Sequence, residues 1–195
     1  MKKFFSIITF LFCALSIHAQ YFSLTESGLK PANGEDKNFI VIEKEGKSQK
    51  DLFNQVKNFI TSSYVSPKDV MSVNETEMIT LNGISDGDVQ CKKGFVMLPF
   101  RTNYTIVFMF KDGKIRINNP SINSMLAESE TLGGQTGSFY QLTLSENDPV
   151  LSRREQIVVF KKNGKTTKGA KESIETFFNS LIDRVINFNS ETEDW

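Results

Sequence analysis

Two residue types that do most enzyme chemistry, histidine and cysteine, occur three times in this 195-residue chain: Cys13, His18 and Cys91. Cys13 and His18 both fall in the opening stretch MKKFFSIITFLFCALSIHAQ. Lys2 and Lys3 precede an uncharged apolar run from Phe4 to Ile17, and small Ala19 stands before polar Gln20. That order is the charged region, apolar region and cleavage site of a secretory signal. The run is shorter than the roughly 20 apolar residues that span a bilayer. Phe12 before Cys13 makes a poor lipoprotein site, because a small residue is needed there. The expectation is cleavage after Ala19, with residues 1–19 a signal peptide and no membrane span afterwards. The exported chain would then hold no histidine and one cysteine, Cys91.

That excludes much chemistry. One cysteine forms no internal disulfide. Zinc favours histidine and cysteine ligands, so no zinc site is expected. A serine nucleophile needs an oriented base, and the chain has no G-x-S-x-G elbow. Cys91 would be a reactive thiol only beside a group that lowers its pKa; Lys92 and Lys93 are the neighbours, and a half-buried or exposed inert thiol is expected. Asp86-Gly87-Asp88 supplies two carboxylates but stops short of a calcium loop and reads as a polar turn. LGGQTGS, residues 132–138, lacks the lysine of a phosphate loop. Carboxylate pairs for glycoside hydrolysis are spatial pairs; Glu43, Glu45, Glu75, Glu77, Glu128 and Glu130 offer many combinations and nothing singles one out. No cofactor or metal is implied.

Charge is balanced, with 23 basic and 23 acidic residues. Loss of the leader would leave the remainder about two charges negative, which argues against nucleic acid as a partner. The one basic run, KKNGKTTKGAK at 161–171, reads as a solvated loop, with anionic envelope glycan or lipid as the alternative.

These residues need elements to position them. Residues 20–37 mix Pro, Gly, Asn and charge without period and read as a mobile leader. A single domain of residues 38–189 follows, with an acidic tail at 190–195. NFIVIEKEG supplies a first strand. Ser48 and Asp51 resemble a capping box, and Leu52, Val56, Phe59 and Ile60 form one helical face that ends near Ser62 or Ser63, before Val65-Ser66-Pro67. MITLNGIS is a strand, SDGDVQCKKG at 85–94 a loop, and GFVMLPF a strand whose Pro99 belongs on an edge or bulge.

NYTIVFMFKDGKIRINN contains a hairpin, with Asp112-Gly113 as a type I′ turn. A two-residue loop pairs Lys111 with Lys114, Phe110 with Ile115, Met109 with Arg116, and Phe108 with Ile117. Ile106, Phe108, Phe110, Ile115 and Ile117 then share a core face, and Val107, Met109, Lys111, Lys114, Arg116 and Asn118 share the opposite one. Residues 120–156 show little periodicity beyond a possible strand at Phe139–Leu144 and a short extended piece at Gln156–Phe160; they read as a long flap covering that second face. Ala170, Ile174, Phe177, Phe178, Leu181, Ile182, Val185 and Ile186 keep helical spacing in a final amphipathic helix, with Asn179 on its polar side. The order strand, helix, four strands, helix describes an α+β domain, with two helices packed on one face of an antiparallel-rich curved sheet.

IEKEGKSQKDLFNQVKNFITSSY, EMITLNG and YTIVFMFKDGKIRI together resemble an exported bacterial domain-of-unknown-function family with a TATA-binding-protein-like fold, whose members occur mainly in gut-dwelling Gram-negative bacteria. The resemblance covers about residues 38–122. Its shared features are a strand entering Gly-Lys-Ser at a helix start, a short strand before a glycine, and a Lys-Asp-Gly-Lys hairpin with Arg116 two residues on. The resemblance implies the fold; it implies no activity, and no DNA binding, because function lives in sites rather than folds.

The functional reading is therefore an exported, non-catalytic binding or interaction module, periplasmic, cell-surface or secreted. Its candidate site is the second sheet face, with Val107, Met109 and Arg116 as neighbours and Lys111 and Lys114 at the rim. An envelope protein, a peptide or a glycan is the expected partner. A carboxylate-based hydrolase of envelope or dietary glycan is the alternative, and a secreted assembly subunit a third reading.

Overall fold

A computed structural model describes residues 20–129 and 137–189. The leader, including Cys13 and His18, and the tail at 190–195 lie outside them, as does most of LGGQTGS. The elements run β1 (Phe22–Thr25), β2 (Gly28–Pro31), β3 (Phe39–Glu43), α1 (Gln49–Ser63), α2 (Pro67–Val70), β4 (Met71–Asn74), β5 (Met78–Lys93), β6 (Val96–Lys111), β7 (Lys114–Asn118), β8 (Ser121–Ser129), β9 (Ser138–Thr143), β10 (Glu155–Val158) and α3 (Ala170–Ile186).

β6 is the spine. It pairs antiparallel with β5 along almost all its length. On its other side it pairs with β7 from Phe108 to Lys111 and with β8 from Arg101 to Thr105. β7 and β8 thus read as one strand broken at Asn119-Pro120, where proline removes a ladder donor. β3 covers β7, β9 covers β8, β10 adds parallel to β9, and β4 closes the far edge beside β5. Along β6 every even residue from Leu98 to Phe110 is buried, and the odd ones lie outside. A period of two over 16 residues is what a sheet with one wet face requires.

Both long helices lie on the buried face. Phe53 of α1 meets Phe110 edge-on at 5.6 Å, and Phe177 and Phe178 of α3 meet Tyr104 at 5.3 and 5.6 Å. The helices form where expected. Ser48 Oγ accepts from Asp51 N–H at 3.2 Å while the Asp51 carboxylate accepts from Ser48 N–H at 3.3 Å, completing the capping box. The architecture is the α+β arrangement read from the sequence, with more strands.

Four local expectations are corrected. Residues 85–94 are not a loop: β5 continues through them, bending at a bulge between Asp86 and Val89 where Gly87 takes φ +87°. Segment 120–156 is not a flap: β8, β9 and β10 extend the sheet edge, with Met125, Ala127 and Leu142 pointing into the core. Residues 20–37 are not a mobile leader: Phe22, Leu24 and Leu29 of the β1–β2 hairpin are buried, β1 packs against α3, and β2 lies beside β3 and β8. The Asp112-Gly113 loop keeps the expected register, but only Gly113 has positive φ, so the turn is not type I′. Its shape answers to neighbours. Gly113 N–H donates to Lys47 O at 2.8 Å, Lys44 N–H donates to Gly113 O at 2.7 Å, and the Asp112 carboxylate accepts from Gln49 N–H at 2.8 Å.

Three tyrosines bind this packing to pH. Tyr21 donates to the Asp183 carboxylate at 3.1 Å, and burial together with that bond holds its phenol up at about 12. Tyr64 and Tyr104 share a 2.7 Å hydroxyl contact, and burial pushes both above the ordinary value. A phenol ionises near 10 in the unfolded chain. Above that pH the unfolded state sheds protons that the folded state keeps, so stability is full below pH 10 and falls as pH rises towards 12. Melting temperature should drop steeply above pH 10, and Tyr21→Phe should flatten part of that slope. Identical slopes in the two proteins would show that Tyr21 is not one of the groups responsible.

Candidate functional site

Every residue proposed for the second face lies on it. Met109 sits opposite Arg116 on one side and Met78 on the other, and Arg116 sits opposite Val41. Val41, Arg116, Met109 and Met78 therefore make one row across β3, β7, β6 and β5. Val107 lies half-buried behind that row, and Lys111 and Lys114 face each other beside the turn. Nothing among the described residues covers the row: Val41 is 44% exposed and Met109 38%. The expected cover by residues 120–156 fails because that segment takes up backbone pairing beside β6 instead of crossing its face.

A groove of about 400 Å³ runs along this end of the face, lined by Val41, Met109, Lys111, Lys114 and Arg116, with Gln49 and Glu77 at its side. Arg116 is held in place. Its guanidinium lies 3.9 Å over the Phe39 ring, and Nε donates to Asn118 Oδ1 at 3.1 Å. Its two terminal nitrogens meet no acceptor among the described residues. Lys114 pairs with Glu43 at 3.0 Å, whereas Lys111 has no acidic partner among the described residues. Farther along the face apolar side chains give way to a polar ladder. Thr105 donates to Asn82 at 2.8 Å and accepts from Asn123 at 3.0 Å, and Asn103 donates to Ser124 at 2.8 Å.

Phe39, Val41 and Gln49 were not singled out from the sequence. The alternation Phe39-Val41-Glu43 was legible in NFIVIEKEG, but only the pairing of β3 to β7 shows which of its faces joins the site.

The other candidates do not assemble. Cys91 is fully buried on β5; burial pushes its thiol up, and Lys93 only partly opposes this, so it is inert rather than activated. Asp86 and Asp88 lie at the bulge, where Asp86 pairs with Arg101 at 3.6 Å and Asp88 accepts from Ser85. Among the described residues no three His, Cys, Asp or Glu side chains gather as a metal site.

The family comparison agrees with this architecture. Residues 39–124 match the model of the family described as a domain of unknown function (DUF4468) with TBP-like fold. That span coincides with the 38–122 resemblance and includes α1 together with β3, β5, β6 and β7, the four strands that form the open face. No curated protein matches the chain. A crystal structure of a TBP-like protein from Parabacteroides distasonis ATCC 8503 aligns at 14% identity and a TM-score of 0.44, over 77% of this chain and 92% of that one. No helix among the described residues is long and apolar enough to cross a membrane.

Proposed function

We propose that this chain is an exported, non-catalytic binding module. Its ligand is a polypeptide segment of the cell envelope that presents an apolar side chain beside a carboxylate. The observation that carries the reading is the uncovered row Val41–Arg116–Met109. An arginine held over the Phe39 ring, with its terminal nitrogens free of acceptors among the described residues, offers a pre-organised fork for a carboxylate. The exposed Val41 and Met109 beside it offer apolar area, and methionine adapts its shape to varied partners. Lys111 adds a second cation at the rim.

Catalysis draws no comparable support. A glycosidase acid needs a carboxyl whose pKa is raised. The described carboxyls that shift, Glu35, Asp51 and Glu146, all shift down, held by Lys37, Ser48 and Lys162 respectively.

The test is selection from a displayed peptide library on the chain lacking residues 1–19, followed by titration of a selected peptide. Met109→Glu should weaken that peptide at least about tenfold, since it places a like charge against the ligand carboxylate. Its melting temperature should hardly move, because exposed substitutions usually cost within about 0.5 kcal/mol. Arg116→Lys should also weaken binding, through loss of the planar fork. Equal affinity in all three proteins, or no peptide retained at all, overturns the proposal.

A further inference from the structure

The end of the molecule formed by the β5–β6 turn carries a different surface. β5 and β6 run past the last β8 pairing, at Arg101, and close at Gly94-Phe95, with Gly94 at φ +61°. Phe95 is fully exposed, Val96 65% and Met97 49%. Three consecutive apolar residues on one turn, one of them an aromatic with no contact to shield it, gain nothing in water.

The surroundings of this tip are basic. The run Lys161–Lys171 begins as a tight turn, with Lys161 N–H donating to Lys165 O at 2.9 Å and Phe160 bridged to Thr166. Lys92 N–H donates to Lys168 O at 3.0 Å, which fastens the end of this loop to the stem of the apolar turn. The two loops border one depression of about 630 Å³, lined by Lys92, Lys93, Lys161 and Lys162. Glu155 neutralises Lys93, and Glu146 pairs with Lys162 at 2.7 Å. Lys92, Lys161, Lys165 and Lys168 are exposed and have no acidic partner among the described residues.

An apolar tip collared by uncompensated lysines matches the layering of a bilayer interface, with acyl chains beneath anionic headgroups. We infer that this end of the chain docks on an anionic phospholipid surface, Phe95, Val96 and Met97 entering the headgroup–acyl boundary while Lys92, Lys161, Lys165 and Lys168 sit among the phosphates. The inference is independent of the peptide-binding reading. It uses a different end of the sheet, and it would orient the open face rather than occupy it.

The probe is vesicle co-sedimentation of the chain lacking residues 1–19, with vesicles of phosphatidylcholine alone and with about one third phosphatidylglycerol. Binding is expected to the anionic vesicles, to weaken as salt shortens the screening length, and to be negligible on neutral ones. Phe95→Ser should lower the partition coefficient about tenfold or more. Lys161→Glu combined with Lys165→Glu should lower it further, at roughly fivefold per charge lost near the surface. A Phe95→Trp variant should show an emission blue-shifted on anionic vesicles only, and the unsubstituted chain, whose tryptophan is Trp195, should not. All these side chains are exposed, so folding is not at risk. No sedimentation with anionic vesicles overturns the inference. So does sedimentation without a blue shift, which would mean adhesion by charge alone. Equal competition by soluble glycerol phosphate would mean a free-anion site and also overturn it. Retention of the double lysine variant at wild-type strength removes the charged half of the argument and the inference with it.

Discussion

Gly83→Ala is expected to destabilise the chain by about 3 kcal/mol or more. Gly83 lies within β5, directly opposite Tyr104 on β6, and its backbone angles are ones alanine adopts freely. Alanine would on that account be the better strand residue, by roughly 0.5–1 kcal/mol. Space decides the other way. A Cβ at Gly83 would stand 2.5 Å from Tyr104 Cε2 and closer still to Cζ and Oη, because the tyrosine ring lies across the glycine. The ring has nowhere to go. It packs edge-on against Phe177 and Phe178, and its hydroxyl is held by Tyr64 at 2.7 Å. Relief requires expelling Tyr104, and losing a buried aromatic costs about 3–5 kcal/mol. For a chain of this size that corresponds to a fall in melting temperature of roughly 6–12 °C. The check is a double-mutant cycle. In a Tyr104→Ala background the added methyl finds room, so Gly83→Ala should cost under about 1 kcal/mol there. An equal cost in both backgrounds would mean that the ring is not what the glycine accommodates.

That glycine shows how far sequence reading reaches. MITLNGIS was legible as a strand, and the turn formers that follow it read as a loop. The structure keeps the strand and uses the glycine for a close approach by an aromatic from across the ladder, a long-range reason with no local trace. Segment 85–94 escaped for a related reason. Val89 and Cys91 point into the core, but the bulge shifts the alternation and the outward positions are free to be Asp, Gln or Lys. β8 escaped because its inward residues, Met125 and Ala127, are modest apolar groups among serines and a glutamate. The register around Asp112-Gly113 was legible because both of its causes are local, a short loop and strict alternation over Ile106–Ile117. The placement of Met109, Lys111, Lys114 and Arg116 on one face followed from it. Whether that face was open did not follow, since it depended on where residues 120–156 pair.

Asn179→Ala is expected to release the β1–β2 hairpin while leaving the sheet folded. On a helical wheel Asn179 falls on the polar side of α3, yet it is buried, because the hairpin occupies that side. Its Oδ1 accepts from the N–H groups of Tyr21 and Phe22, both at 2.8 Å, and its Nδ2 donates to Phe22 O at 2.9 Å. Glu175 continues the pattern, accepting from Leu24 N–H at 2.7 Å. The inner edge of β1 thus pairs with helix side chains where a sheet would supply another strand. Alanine leaves three backbone groups without partners, and each buried group left so costs about 1–3 kcal/mol. A local loss near 3 kcal/mol would raise amide exchange at Phe22 and Leu24 by about a hundredfold, while amides of β5 and β6 keep their protection. Asn179→Asp separates the two halves of the side chain's work. It keeps both acceptances but turns a carboxylate oxygen on Phe22 O and Glu175 O, to which Nδ2 donates, so exchange at Phe22 should rise at least as much as in the alanine variant. Wild-type exchange at Phe22 in Asn179→Ala would show that apolar burial of Phe22, Leu24 and Leu29 holds the hairpin unaided. Equal acceleration through β5 and β6 would show that hairpin and sheet unfold as one unit.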